Sequence, residues 1–137
     1  MSSIRCSVFW LISGGFLAFS LVATTTTHAE TIAVIGTGDV GSALGPRFAS
    51  LGHEIVYGSR TQDSDHVRAL VAKTGDGASA TTQVEAARQA DIVLLALPWT
   101  VAEAVVIGLG DLTGKILIDP INPRTVDDEG WVDYPTY

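Results

Sequence analysis

An apolar strand-like run, Thr31 to Ile35, leads directly into Gly36-Thr37-Gly38-Asp39-Val40-Gly41. A helix-compatible stretch and a second strand, about His53 to Tyr57, follow. The order strand, G-x-G-x-x-G turn, helix, strand within about thirty residues is the context that a dinucleotide-binding turn requires. Gly36 permits the tight turn out of the strand. Gly38 lacks a Cβ, so a pyrophosphate can approach the backbone, and Gly41 lets the helix pack closely on the strand. The first turn of the helix offers N–H groups with no intrahelical partner to such a phosphate. The same glycines would also suit a bare strand-to-helix turn; the flanking strands and helix favour the ligand-binding reading.

The residues after the second strand bear on which dinucleotide is bound. An NAD site places a carboxylate there to accept hydrogen bonds from the ribose 2′-OH, whereas a 2′-phosphate requires donors and positive charge. This chain reads Gly58-Ser59-Arg60-Thr61, with no carboxylate before Asp63. Ser59 and Thr61 supply hydroxyl donors and Arg60 a planar fork for phosphate oxygens. The expected cofactor is therefore NADP(H).

The rest of the chain repeats the strand–helix alternation. A first helix is expected from Asp39 to Leu51, stopped at Gly52 and interrupted by Pro46. A second, Ser64 to Thr74, carries Val67, Leu70 and Val71 at helical spacing, and Gly75-Asp76-Gly77 breaks it. Ala78 to Ala80 reads as a weak strand, and Thr81 or Thr82 as the cap of a short helix through Arg88. The run from Asp91 to Leu97 is apolar on both faces, as a central parallel strand is, and Pro98 ends it. A helix from Trp99 to Leu109, with Val101, Ala104, Val105 and Leu109 facing inward, and a strand from Ile116 to Asp119 complete the pattern. These elements specify an α/β, Rossmann-type doubly wound parallel sheet of about five strands, with ligands outside the carboxyl ends of the strands.

Composition narrows the partners. Arg5, the uncharged apolar run from Val8 to Ala23, and the small residues around Thr27-His28-Ala29 read as a secretory signal peptide covering residues 1–29. The run is shorter than the roughly 20 residues of a spanning helix; an uncleaved membrane anchor is the alternative. The expected location is periplasmic or secreted. Cys6, the single cysteine, would leave with the signal, so neither disulfides nor thiol chemistry is expected of the mature domain. The chain has 15 acidic against 8 basic residues and a formal charge of −7. That balance, without basic clusters, argues against nucleic acid and anionic membrane surfaces as partners. The domain is expected over residues 30–124, with an acidic and aromatic tail over 125–137 leading into a further segment.

The runs Gly36 to Gly41, Leu51 to Arg60, Leu97-Pro98-Trp99 and Asp119 to Pro123 resemble the NADP-binding domain of the NADP-dependent reductases of the deazaflavin coenzyme F420. Pyrroline-5-carboxylate reductases and the cytosolic reductase domains of metalloreductases are relatives of the same domain. The resemblance covers residues 31–123, and Gly58-Ser59-Arg60 is its most specific element. It implies that Thr37, Gly38, Asp39 and Val40 hold the pyrophosphate and that Ser59 and Arg60 bind the 2′-phosphate. Leu97 and Pro98 would lie under the cofactor, and Asn122 and Pro123 would border the nicotinamide. Members of the family often place another basic residue a few positions after the arginine; here Asp63 and Asp65 occupy that stretch, with Arg68 beyond them. Such enzymes also continue past the fifth strand into a segment that covers the nicotinamide. A further segment, the tail, or partner subunits in a homo-oligomer would complete the site.

Other chemistry has little support in the sequence. His53 stands at the turn into the second strand and His66 on a polar helix, neither with a spaced metal partner, and both read as surface or edge histidines. Asp127, Asp128, Glu129 and Asp133 read as a solvated acidic tail, and Trp99 and Trp131 as packing residues, Trp99 being the one near the cofactor. The expected function is hydride transfer between nicotinamide and a flavin-like or other small acceptor, with no acid or base assigned. The alternatives are a non-catalytic dinucleotide-binding or interaction module, or another nucleotide- or sugar-processing enzyme on the same fold.

Overall fold

The computed structural model describes residues 29–123, 125–126, 130 and 132–133. The expected signal peptide and most of the acidic tail lie outside these residues. Five strands, β1 (Thr31–Ile35), β2 (Glu54–Gly58), β3 (Ala78–Thr81), β4 (Ile92–Leu95) and β5 (Ile116–Ile118), form one sheet in the order β3-β2-β1-β4-β5. Every pairing in it is parallel. The chain moves outward from β1 to β3, then crosses back to place β4 on the other side of β1. That reversal opens a crevice between the carboxyl ends of β1 and β4, the usual ligand position in such sheets.

Alternation along the strands divides the core into two layers. Ala33, Ile35, Val56, Val93 and Leu95 face one way, packed with Ala86, Ala87 and Ala90 around α3 (Gln83–Gln89) and with Leu109. Ile32, Val34, Ile55, Tyr57 and Leu94 face the other. Phe48 of α1 (Asp39–Ala49) and Leu70 of α2 (Asp65–Thr74) cover that side. Burial on both faces explains why β1 and β4 read as unbroken apolar runs.

The caps follow from side-chain chemistry. The Ser64 Oγ accepts from the Val67 N–H at 3.4 Å to start α2, and the Thr82 Oγ1 accepts from the Glu85 N–H at 3.3 Å to start α3. Helix α1 runs through Pro46 and stops at Ser50, two residues earlier than Gly52 suggested. Strand β5 ends at Ile118 because the Asp119 carboxylate accepts the Ile121 N–H at 2.9 Å and turns the chain.

The inward face expected for α4 (Trp99–Gly108) is corrected in part: Leu109, just past its end, is buried and Val105 packs on the core as expected. Ala102 is buried and Val105 and Val106 are partly buried, but Val101 and Ala104 are exposed. The helix is apolar nearly all round, so spacing alone could not select a face. A further feature absent from the sequence reading is a short antiparallel pair, β6 (Thr125–Val126) with β7 (Val132–Asp133). Among the described residues no helix is long and apolar enough to cross a membrane.

Candidate functional site

The fingerprint turn is built by steric exclusion. Gly36 has φ +108°, in the region that favours glycine, and a β-carbon on it would stand 2.2 Å from the Ala96 carbonyl oxygen. Its N–H donates to the Gly58 carbonyl at 3.0 Å, and the Ala96 N–H donates to the Ile35 carbonyl at 2.9 Å. The ends of β1, β2 and β4 are thus held together at one point. Gly41 is buried, and a β-carbon there would meet the Gly36 carbonyl at 2.1 Å. Gly38 differs: nothing lies within 4 Å of the position its β-carbon would take. It is the cap residue of α1, and no side chain of its own caps the first N–H groups of the helix.

A cavity of about 570 Å³ lies on this turn. Gly36, Thr37 and Gly38 form one wall, and Gly58, Ser59, Arg60 and Thr61 another. Ala96, Leu97 and Pro98 form its floor, with Gln83, Val101 and Val105 at the far side. Ser59 is buried, and its Oγ accepts the Thr61 N–H at 3.2 Å, which fixes the loop that carries Arg60. Arg60 is exposed, and among the described residues no side-chain partner holds it.

Two smaller cavities continue this groove. One, about 270 Å³, shares Leu97 and Pro98 and adds Val40, Trp99, Ile121 and Asn122. The other, about 410 Å³, shares Arg60, Gln83, Val101 and Val105 and runs between α3 and α4. The exposed face of α4 therefore lines the groove, which accounts for Val101 and Ala104 facing away from the core.

Most of the residues singled out in the sequence meet here. Gly36, Thr37, Gly38, Ser59, Arg60, Leu97 and Pro98 line the large cavity, and Val40 and Asn122 line the adjoining one. Gly41 lies behind the turn as a packing residue. Asp39 is exposed in the first turn of α1 and lines none of the three cavities; Pro123 also lies outside them. His66 is exposed, as expected of a surface histidine, and it also makes a contact that the sequence does not show. The His66 Nε2 stands 2.7 Å from the Thr37 carbonyl oxygen, joining α2 to the fingerprint turn. His53 matches its reading as an edge residue: its Nδ1 accepts the Glu30 N–H at 3.3 Å and its ring packs edge-on to Phe48. Among the described residues no cluster of three metal-ligating side chains occurs.

A parallel sheet with this crossover, a glycine turn under a helix N-terminus and a groove along the carboxyl edge define a Rossmann-type domain with a dinucleotide-type turn. Residues 31–123 match the family described as NADP oxidoreductase, coenzyme F420-dependent, and the chain belongs to that family. It is 33% identical over 99 residues to the F420-dependent NADP reductase of Methanothermobacter thermautotrophicus (strain Delta H), an alignment covering 67% of this chain and 43% of that protein. The chain thus spans less than half the length of this curated relative.

A solved structure from Arthrobacter sp. FB24, assigned as an F420-dependent NADP reductase, superposes with a TM-score of 0.69 at 26% identity, over 77% of this chain and 51% of that one. An imine reductase from Pseudomonas sp. superposes at 0.56 with 22% identity, over 67% of this chain and 32% of that one. The pyrroline carboxylate reductase of Plasmodium falciparum, solved with NADP bound, superposes at 0.52 with 19% identity, over 74% of this chain and 36% of that one. These last two share the fold.

Proposed function

We propose that this chain is the NADP(H)-binding domain of a reductase that passes hydride between nicotinamide and a flavin-like or other small acceptor. The observation that carries the cofactor choice is the wall formed by Ser59, Arg60 and Thr61, where donors and a guanidinium stand at the position a carboxylate takes in an NAD site. Arg60 and Ser59 bind the 2′-phosphate. The adenine lies between Arg60 and the apolar side of α4 at Val101 and Val105.

The N–H groups from Gly38 to Val40 receive the pyrophosphate at the helix N-terminus. Leu97 and Pro98 support the ribose and direct the nicotinamide to the cavity bounded by Val40, Trp99 and Asn122. The bound nicotinamide supplies the hydride chemistry. The protein's share is to orient that ring and to keep water from one of its faces with Leu97, Pro98 and Trp99. Titration calorimetry with NADPH and NADH tests the reading: tighter binding of NADPH supports it, and equal affinities would defeat it.

A second reading, a dinucleotide-binding module without turnover, draws on the size of the nicotinamide-side cavity. Among the described residues that cavity measures about 270 Å³, near the lower end of small-molecule pockets at roughly 300 Å³. The two readings separate on whether NADPH is oxidised when a deazaflavin or flavin acceptor is supplied. Export of the domain after cleavage near Ala29 is part of the proposal, supported by the charge and apolar pattern of residues 1–29. Sequencing the N-terminus of the native protein tests it.

A further inference from the structure

Thr37 is flanked by Gly36 and Gly38, the two residues of the turn with the greatest backbone freedom. Two ends of this segment are tied by the main chain: the Gly36 N–H donates to the Gly58 carbonyl at 3.0 Å, and the Ser42 N–H donates to the Gly38 carbonyl at 2.8 Å. The carbonyl between them is held by a side chain from another element. His66 Nε2 stands 2.7 Å from the Thr37 oxygen, across 29 residues of sequence. A carbonyl only accepts, so Nε2 carries the hydrogen and donates it.

The position of His66 is itself fixed. Ser64 caps the first turn of α2. The Arg68 guanidinium bonds the Asp65 carboxylate at 2.6 Å and also donates to the Asp63 carbonyl. The imidazole therefore projects from the capped first turn of a helix, and it does so at the exposed surface.

The Thr37 oxygen and the Gly38 N–H belong to one peptide unit. In a trans peptide these groups point in opposite directions. Holding the oxygen toward α2 therefore sets the Gly38 N–H away from α2. Gly38 lines the large cavity, with open space on its own side.

We propose that His66 is a positioning residue of the dinucleotide site, which orients the Gly38 N–H for the pyrophosphate before the ligand arrives. The proposal rests on the reading of the groove as an NADP(H) site. Its effect is preorganisation: without the strut, the glycine-flanked peptide must be ordered on binding, at a cost to affinity. The pyrophosphate is common to both dinucleotides, so His66 affects NADPH and NADH by the same factor, unlike Arg60, which acts on the 2′-phosphate alone.

The test is calorimetric titration of NADPH and NADH into the wild-type protein, His66→Ala and His66→Gln, with a thermal melt of each ligand-free protein. His66→Ala should weaken both ligands by about five- to tenfold, the scale of one hydrogen bond, while the ligand-free protein still melts in one cooperative transition, lowered by no more than a few degrees. His66→Gln, whose amide can donate to the same carbonyl, should recover most of the loss. Three results overturn the proposal: unchanged affinity in His66→Ala, loss for NADPH alone, or His66→Gln as weak as His66→Ala. Failure of the wild-type protein to bind either dinucleotide would overturn the reading of the groove itself, and this inference with it.

Discussion

A β-carbon placed on Gly45 would stand 2.1 Å from the Tyr57 hydroxyl oxygen. Tyr57 is fully buried under α1, and its hydroxyl lies 2.7 Å from the Thr74 Oγ1 at the end of α2. The glycine thus makes room for a ring that ties β2 to α2. Gly45→Ala should lower stability by about 1–3 kcal/mol, as overpacking of a filled core does. Urea denaturation checks it, and the midpoint should fall with the slope unchanged.

The same tyrosine sets an alkaline limit. Burial pushes its hydroxyl above the ordinary value of 10.0, opposed by the hydrogen bond to Thr74. Above pH 10 the folded protein therefore holds a proton that the unfolded chain has released, so stability falls as pH rises through that range. Tyr57→Phe should cost about 1 kcal/mol at neutral pH through the lost hydrogen bond. It should also flatten the decline above pH 10, which denaturation midpoints measured from pH 8 to 11 would show.

The first two glycines of the turn should separate fold from binding. Gly38 faces open space with φ −75°, so Gly38→Val should leave the melt unchanged yet remove dinucleotide binding, the branched side chain taking the place of the pyrophosphate. Gly36→Ala should instead destabilise the protein, because its backbone conformation is strained for an L-residue and its β-carbon would press on Ala96. If Gly38→Val bound NADPH normally, the assignment of this turn would be wrong.

Arg60 and Asp39 should pull affinity in opposite directions. Arg60→Ala should remove most of the preference for NADPH over NADH, expected to be at least about tenfold, and leave NADH nearly unaffected. The Asp39 carboxylate sits in the first turn of α1, where it favours the helix by roughly 0.3–1 kcal/mol; it lines none of the cavities but places negative charge beside the turn proposed for the pyrophosphate. Asp39→Asn should tighten both dinucleotides while slightly lowering the melt. Weaker binding by Asp39→Asn would mean that the carboxylate contacts the ligand favourably.

The parts of this domain legible in the sequence are those written in short-range chemistry. Apolar runs bounded by glycine and proline marked β1, β2 and β4, and Ser64 and Thr82 marked two helix starts within a residue. The orientation of α4 was not legible, because Val101, Ala104 and Val105 make one apolar face and Ala102 and Val106 a second beside it. Two-residue strands such as β6 and β7 carry too little pattern to announce a pairing. His66 was passed over for a different reason. Its significance lies in a contact with Thr37, which depends on how α2 leans toward the turn after β1, and no local spacing encodes that.

The final prediction concerns turnover. The cavity at the Trp99 end is bounded by Val40, Pro98, Trp99 and Asn122, and Trp99 is 38% exposed. A nicotinamide seated there would keep one face on Leu97 and Pro98 and present the other to solvent. Fast hydride transfer needs donor and acceptor carbons held in near contact, an advantage of about 7–11 kcal/mol over free encounter, and among the described residues lining this cavity none is placed to hold a second ring. This 137-residue chain should therefore bind NADPH and oxidise it slowly with a deazaflavin or flavin acceptor, at a rate first order in acceptor without saturation. Stopped-flow loss of NADPH absorbance across acceptor concentrations checks this. Rapid, saturable oxidation by this chain alone would show that it builds an acceptor site of its own.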